Sequence, residues 1–401
     1  MIQKYRQFYN EQFTEEKYKN FLDDIIKTYN HTPPFKIAET PVFIPVALKN
    51  KLVAACNEIM EVINQPNFKE LTEGAFFTPD TKTPNEDENA KFIQLDFGIC
   101  KDENGALVPK LIELQGFPSL YFFQEVVGRM YRKHFGNAIP ANYSQHVNGM
   151  TNQGYLNLLQ QEIVGDTNPK QVILLEIEPE KQATAIDFFV TEKILGIKVI
   201  CISKVIKKGT ALFYLDDEGK EIKILKVYNR IIFDELQQRK DLKRGFDFLD
   251  EVDVTWIGHP NWFYRISKYT MPLLKGEFVP KSYYLDQLEV IPEDLENYVL
   301  KPLYSFAGAG VQIHVRRKMI DDITNKSNYL LQEKVAYAPV VETMDEPAKC
   351  EVRMMLLHNS KTNKTEIVSN LVRLSKGEMV GVKYNKDKTW VGGTTGFFEN
   401  S

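Results

Sequence analysis

The stretch from residue 91 to residue 120 reads KFIQLDFGICKDENGALVPKLIELQGFPSL. It holds two strand-like runs, 91–99 and 108–114, in which apolar and polar residues tend to alternate. The sequence DENG at 102–105 lies between the two runs and is typical of a tight turn. The stretch therefore predicts an antiparallel hairpin.

Three oxygen-bearing side chains would meet on this hairpin. Side chains in a strand repeat every two residues, so Glu113 and Gln115 share a face. If Asp96 on the first strand pairs near Glu113, the three side chains converge. Such oxygens are the hard ligands that suit Mg²⁺ bound to substrate phosphates. The alternative is a solvated strand face, although Ile112 and Leu114 beside Glu113 indicate a packed element.

The flanking segments predict the organisation of the chain. Between 165 and 260, two apolar runs enclose a helix expected at 181–195, a strand–helix–strand pattern typical of a parallel sheet. Beyond about 270, short strands with one helix predict mostly antiparallel sheets. The expected fold class is α+β, in four parts: a helical N-terminal region (1–90), the hairpin and its following helix (91–160), a small α/β layer (165–260) and a mixed, strand-rich region (261–401).

Several local elements are also expected. Residues 1–65 read as helices interrupted by a proline-containing stretch, 32–45. Ser119 is expected to cap a helix that reaches about residue 133. Short strands are expected at 311–315 and 379–383, among others in the last third of the chain.

Lysines and small residues suggest a phosphate site in the last part of the chain. The sequence YVLKPLYSFAGAGVQI at 298–313 predicts a strand that carries Lys301 into a turn containing Gly308 and Gly310. Small residues let backbone N–H groups approach phosphate oxygens, and lysine adds a point charge. Lys268, within an amphipathic pattern at 259–274, could add a second contact. The alternative is a hairpin with a glycine turn and solvated lysines.

Composition excludes several classes of protein. The 401 residues are 43% hydrophobic and 26% charged, which is ordinary for a globular chain. A net charge of -4 gives no global attraction to nucleic acid. Four scattered cysteines argue against a disulfide framework and fit a reducing, cytoplasmic compartment. No apolar run reaches the length of a membrane span, and no P-loop, HExxH or GxSxG motif is present.

These motifs, taken in order, resemble the ATP-grasp superfamily. The Lys-Pro-Leu before the glycine turn, the strand ending Leu-Gln-Glu at 331–333 and the Glu-Val-Arg at 351–353 are similar to an ATP-grasp nucleotide site. The Glu-Leu-Gln at 113–115 precedes the lysines, an order similar to the circularly permuted branch typified by glutathionylspermidine synthase. ELQGFPSL, NWFYRISKYTMPLL and WVGGTTGFFE resemble three further segments of that family, so the likeness spans residues 90–400.

The resemblance implies a role for each matching residue. Nucleotide contacts would come from Lys268, Lys301, Gly308, Gly310, Gln332, Glu333 and Val335, with the Ala307–Gly310 turn over the triphosphate. Mg²⁺ would be held by Asp96, Glu113 and Gln115, and catalytic charge would come from Arg353 and Arg373. Two positions depart from the family pattern: Gln115 replaces an asparagine, and Gln94 replaces an arginine that would help to hold the substrate carboxylate.

The implied activity is ATP-dependent ligation. A small-molecule or peptide carboxylate would be phosphorylated, and an amine or similar nucleophile would displace phosphate from the acyl phosphate. Such chemistry depends on positioning and charge stabilisation rather than on a nucleophilic side chain. One alternative is a non-catalytic ATP-grasp-like nucleotide-binding or adaptor protein, which Gln94 and Gln115 favour. Another is a structural α+β protein without a nucleotide site. Arg230 and Asp234 are candidate substrate contacts, but the expected role of the two residues is an ion pair at a strand end.

Overall fold

The computed structural model describes residues 1–76, 81–305, 308–381 and 384–400. Its helices are α1 (Gln3–Gln12), α2 (Glu15–Tyr29), α3 (Val46–Ile63), α4 (Phe68–Leu71), α5 (Tyr121–Phe135), α6 (Asn152–Ile163), α7 (Ala185–Leu195), α8 (Phe233–Gln238), α9 (Asn261–Arg265) and α10 (Arg317–Asp321). Its strands are β1 (Val42–Ile44), β2 (Phe92–Lys101), β3 (Leu107–Gln115), β4 (Tyr143–Ser144), β5 (Val172–Glu176), β6 (Lys198–Cys201), β7 (Ile206–Lys208), β8 (Ala211–Leu215), β9 (Glu221–Ile224), β10 (Lys226–Asn229), β11 (Thr255–Ile257), β12 (Ser282–Tyr284), β13 (Tyr298–Pro302), β14 (Tyr329–Glu333), β15 (Pro339–Val341), β16 (Ala348–Asn359), β17 (Lys364–Ser375), β18 (Gly392–Thr394) and β19 (Gly396–Glu399).

The main sheet joins strands from distant parts of the chain. Its order is β18-β17-β16-β2-β3, and β15 pairs with β16 at one end. All of these pairings are antiparallel. The predicted hairpin is confirmed as β2 and β3, with Asp96 opposite Glu113 and an irregularity at the next residue. The side chain of Asp102 accepts hydrogen bonds from two backbone amides of the turn, which closes the hairpin.

The two faces of the main sheet pack against different helices. Along β16, Met354 and Leu356 join the core cluster that contains α3 residues, whereas Met355 and Leu357 join the cluster that contains α5 residues. The two-residue repeat of a strand then places Arg353 on the same face as α5. The polar side chains of this sheet therefore continue a face whose other end is apolar core.

The predicted α/β layer is confirmed as a parallel sheet of order β11-β10-β5-β6. The chain between β6 and β10 forms a separate antiparallel sheet, β7-β8-β9. The helix expected at 181–195 begins only at Ala185, and the strand expected at 228–233 is instead β10 followed by α8.

Other predicted elements differ. Helix α5 begins at Tyr121, and its cap position is Leu120 rather than the expected Ser119. Leu120 has a left-handed φ of 63°, and its apolar side chain makes no capping hydrogen bond. Instead Asp187 Oδ1 accepts hydrogen bonds from the amides of Phe122 and Phe123 at 3.1 and 2.9 Å. A cap contributed from 64 residues away has no local signature in the sequence.

The remaining differences lie near the ends of the chain. The proline-containing stretch 32–45 includes β1, which pairs in parallel with β19. The expected strand at 311–315 is reduced to a bridge between Gln312 and Leu300. No strand forms at 379–381, and 382–383 lie outside the described residues. Among the helices in the described ranges, none has both the length and the apolar character needed to cross a membrane.

A buried histidine gives the fold a defined response to acid. His146 lies against Tyr155, and its ring nitrogens meet Val368 O and Asn152 Oδ1, each at 3.1 Å. Burial lowers the pKa of His146 from 6.5 to about 4. The unfolded chain takes up a proton below pH 6.5 and the folded chain does not, so folded stability declines as pH falls towards 4.

We expect this histidine to cost about 3 kcal/mol of unfolding free energy across that window. Denaturant unfolding at several pH values measures it. In His146→Gln the decline should be smaller by this amount, and in the control His314→Gln, which changes an exposed histidine, it should match the unaltered protein. Equal declines in all three proteins would contradict the assignment.

Candidate active site

Two arginines and two carboxylates from three adjacent strands form the most densely charged part of the main sheet. Arg353 on β16 lies opposite Asp96 on β2, and Arg373 on β17 lies opposite Glu351 on β16. Arg353 donates from Nε and Nη2 to the two oxygens of Asp96 at 2.6 and 2.7 Å. Arg373 Nη2 donates to Asp96 Oδ2 at 2.6 Å and also to Glu351 Oε1. The bidentate geometry fixes the plane of Arg353.

These contacts decide the charge state of the buried carboxylates. Burial alone would raise the pKa of Asp96, but Arg353 and Arg373 hold it below its ordinary value. Burial raises the pKa of Glu351; Arg373 opposes that rise and nearby Asp96 adds to it. Asp96 is therefore a carboxylate at neutral pH whose two oxygens are already committed to arginines.

The predicted magnesium ligands divide into two groups. Glu113 and Gln115 lie on one face of β3, both half-buried, and Gln115 Nε2 donates to Glu113 Oε1 at 3.0 Å. This leaves the amide oxygen of Gln115 and a carboxylate oxygen of Glu113 for a cation, a donor set that fits Mg²⁺ shared with phosphates. Asp96 Oδ1 accepts one described hydrogen bond, from Arg353 Nε, so that oxygen keeps a lone pair on the side of Glu113. In the described ranges, no group of three or more acids, histidines or cysteines is arranged to hold a metal.

The lysines predicted to bind nucleotide lie against this hairpin. Lys301 on β13 is buried and donates from Nζ to the backbone oxygen of Ile112 at 2.8 Å, beside Glu113. Burial lowers the pKa of Lys301 to about 8, and the Glu113 charge opposes that fall. Segments 189 residues apart therefore meet here.

Lys268 joins the same region from a short 3-10 helix, Lys268–Leu273, rather than from the continuous amphipathic helix that was expected. Its Nζ donates to Pro302 O at 2.9 Å and to Ser305 Oγ at 2.8 Å. Burial lowers the pKa of Lys268, and Glu113 opposes the fall. Lys268 thus holds the end of the strand that carries Lys301.

The other residues predicted to bind nucleotide lie in the glycine turn and on or just after β14. Gly308 and Gly310 both have φ of 73°, a left-handed conformation that favours glycine; Ala307 lies outside the described residues. Gln332 is buried and donates to Leu111 O of β3 at 3.4 Å, and its amide oxygen has no partner within the part of the chain that the structure describes. Within the described ranges, Glu333 and Val335 make no hydrogen bond to the arginine–carboxylate group; a Glu333 oxygen accepts instead from the Lys281 amide at 3.1 Å.

Arg230, for which the sequence favours an ion pair over a substrate contact, is a buried cation at the carboxyl end of the parallel sheet. It follows β10, and its Nε and Nη1 are buried and have no partner among the described residues. Its guanidinium lies between the rings of Phe117 and Phe188, 4.8 and 5.1 Å from their centroids. The expected ion pair with Asp234 is absent from the described contacts. A charged residue directly after a buried strand was the signal available, because open parallel sheets bind ligands at the carboxyl ends of their strands.

Of the comparisons with known proteins, the comparison with solved structures is the one that finds a similarity. No family model matches the chain, and no curated protein matches it. Among solved structures, the chain is similar to a glutathione synthetase like-effector, GSS30, from Globodera pallida, in its apo form. The similarity covers 96% of each chain with a TM-score of 0.58 and 13% sequence identity. The chain therefore shares a mixed α/β fold with that protein.

Proposed function

We propose that this chain is an ATP-grasp protein of circularly permuted order that joins a carboxylate to an amine, through an acyl phosphate, at the expense of Mg-ATP. One observation carries the proposal: Lys301 contacts the backbone of the strand that presents Glu113, beside the Arg353–Asp96 pair. Cations and metal-binding oxygens brought together from distant segments suit a triphosphate better than they suit a solvated surface.

Each residue then has a physical task. Lys301 and Lys268 would hold phosphate oxygens in place of the backbone oxygens that they contact now. Glu113 and Gln115 would hold Mg²⁺, which supplies positive charge between the phosphates when it is bound. Arg373, whose side chain is 34% exposed, would neutralise the charge on the transferred phosphoryl group.

The two chemical steps need no nucleophilic side chain. A substrate carboxylate oxygen attacks the γ-phosphorus, and ADP leaves with the bonding electron pair. The amine nitrogen then attacks the carbonyl carbon, the bond from that carbon to the phosphate oxygen breaks, and the departing inorganic phosphate takes up the proton that the amine nitrogen loses. The residues described here orient the groups and stabilise charge, which is the main requirement of phosphoryl transfer.

Arg230 fits the carboxylate substrate. Its guanidinium nitrogens Nε and Nη1 have no partner among the described residues and can each donate a hydrogen bond to an oxygen of the substrate, and Phe117 beside the guanidinium follows Gln115 by two residues. Burial raises the pKa of nearby Glu176 to about 8, although Arg230 opposes the rise, so Glu176 competes weakly for this arginine at neutral pH. The acid would thus be held beside the proposed metal ligands.

Replacing Arg230 by glutamine should raise the KM for the acid about 10–100-fold, since a hydrogen bond to a charged group contributes about 1.5–3 kcal/mol. The KM for ATP should stay within about twofold of its original value, because Arg230 does not contact the lysines. Steady-state kinetics with each substrate varied in turn measures both constants. The control is Arg317→Gln, which removes an exposed arginine. An unchanged KM for the acid would exclude Arg230 from the acid pocket.

A second candidate function is nucleotide binding without turnover. It is favoured by the arginines that occupy both oxygens of Asp96 and by Gln94 and Gln115 at two positions of the family pattern. Calorimetry with Mg-ATP, followed by ADP release in the presence of pooled carboxylic acids and amines, separates the two functions. Release of ADP that requires both pools supports the ligase. Binding without release supports the second candidate, and absence of binding contradicts both.

A further inference from the structure

Tyr337 connects the segment after β14 to the centre of the main sheet. It lies between β14 and β15, and its hydroxyl donates to Glu351 Oε2 at 2.7 Å. Its ring lies directly against Gly98 of β2, where an added Cβ would come within 2.9 Å of two ring carbons. The ring can occupy this position because residue 98 is a glycine; a larger side chain at residue 98 would displace the ring.

Glu351 passes this contact on to an arginine. Its second oxygen accepts from Arg373 Nη2, and the same nitrogen donates to Asp96 Oδ2 at 2.6 Å. Arg373 Nε is buried and has no partner among the described residues. The orientation of this guanidinium therefore depends on the two carboxylates that share one of its nitrogens.

A buried carboxylate needs a hydrogen bond on each oxygen to remain in place. Tyr337 supplies one of the two bonds that Glu351 receives, and Arg373 supplies the other. Without Tyr337, Glu351 would have one unsatisfied oxygen close to the like charge of Asp96. The carboxylate would then be free to turn, and Arg373 would turn with it.

We propose that Tyr337 and Glu351 are positioning residues that hold Arg373 in the geometry required for phosphoryl transfer. Neither touches the reacting atoms: Tyr337 acts through Glu351, and Glu351 acts through Arg373. This inference deepens the proposed function and rests on it. It also assigns a role to Tyr337, which the sequence analysis does not single out.

The test compares Tyr337→Phe, Glu351→Gln and the double variant by steady-state kinetics, Mg-ATP calorimetry and thermal unfolding. We expect kcat to fall about 10-fold in Tyr337→Phe and about 100-fold in Glu351→Gln. These losses do not exceed the low end of the roughly 10²–10³-fold loss for removal of a charge-stabilising donor, because both variants displace Arg373 without removing it. The Kd for Mg-ATP should stay within about twofold, because neither side chain binds nucleotide. The double variant should be no slower than Glu351→Gln alone, because the two residues act as a unit.

The matched control is Tyr214→Phe, which removes another buried tyrosine hydroxyl, one that donates to a backbone oxygen at 2.7 Å in the α/β layer. It should leave kcat unchanged. Multiplicative losses in the double variant, or full activity of Tyr337→Phe, would overturn the positioning role while the unaltered protein still releases ADP. An unaltered protein that binds Mg-ATP without releasing ADP would instead contradict the proposed function, and the positioning role with it.

Discussion

Replacing Lys301 by methionine should lower ADP release about 10²–10³-fold, the loss seen when one preorganised charge-stabilising donor is removed. The ammonium group of Lys301 lies beside Glu113, where the triphosphate and its cation would meet. Methionine keeps a similar length and apolar stem. Because a buried ammonium is costly to keep out of water, the variant should fold at least as well as the unaltered protein.

The measurement is ADP release with saturating acid and amine, beside thermal unfolding without ligands. Lys364→Met, at an exposed position at the start of β17, serves as the control and should retain full activity. If Lys301→Met turns over normally while it folds normally, the proposed nucleotide site is wrong. If it loses activity only because it unfolds, the thermal measurement will reveal this.

Replacing Arg353 by methionine should destabilise the fold by about 3–5 kcal/mol, which is the usual cost of removing one partner of a buried ion pair and leaving the other charge uncompensated. Asp96 is 1% exposed and would lose both of its hydrogen bonds to Arg353, and Gln94 would lose a third at 3.0 Å. Among the described residues, Arg373 would remain hydrogen-bonded to the carboxylate, with the charge of Lys301 nearby. This prediction concerns stability and holds whether or not the protein is an enzyme.

The pH dependence identifies the cause of this loss. Arg353 and Arg373 keep the pKa of Asp96 below its ordinary value in the folded protein, so their stabilising effect is complete above that value and is lost in acid. The difference between the two proteins should therefore be largest at neutral pH and shrink as pH falls. Arg317→Met, in an exposed pair with Asp321, should change stability by about 0.5 kcal/mol or less. A gap below about 1 kcal/mol, or one independent of pH, would contradict the account.

Local rules of sequence predicted the parts of the fold that depend on near neighbours. The alternation of apolar and polar residues, together with the DENG turn, was sufficient to predict the hairpin. The parallel layer followed from two apolar runs around a helix. The cap of α5 could not be predicted in this way, because Asp187 is supplied by another helix.

The candidate site shows the same division. That Glu113 and Gln115 share a face follows from the period of a strand, and their proximity to Lys301 is what the resemblance to the ATP-grasp superfamily implies. Nothing in the sequence indicated that Arg353 would lie opposite Asp96, because the register between β2 and β16 is set by packing over the whole sheet. The contact of Tyr337 was missed for the same reason. Its partner, Glu351, lies on β16, and β15 separates the two residues in sequence.

The pairing of β2 with β16 also has a consequence for synthesis of the protein. The outer edge of β2 finds its partner only when residues 348–359 emerge, about 250 positions after β2 itself. Until then the nascent chain carries an apolar hairpin with one open edge, a surface prone to pairing with other chains. Completion of the sheet is therefore a late, non-local event, and such events are slow and exposed to aggregation. This edge of β2 therefore stays without its strand partner while about 250 further residues are synthesised.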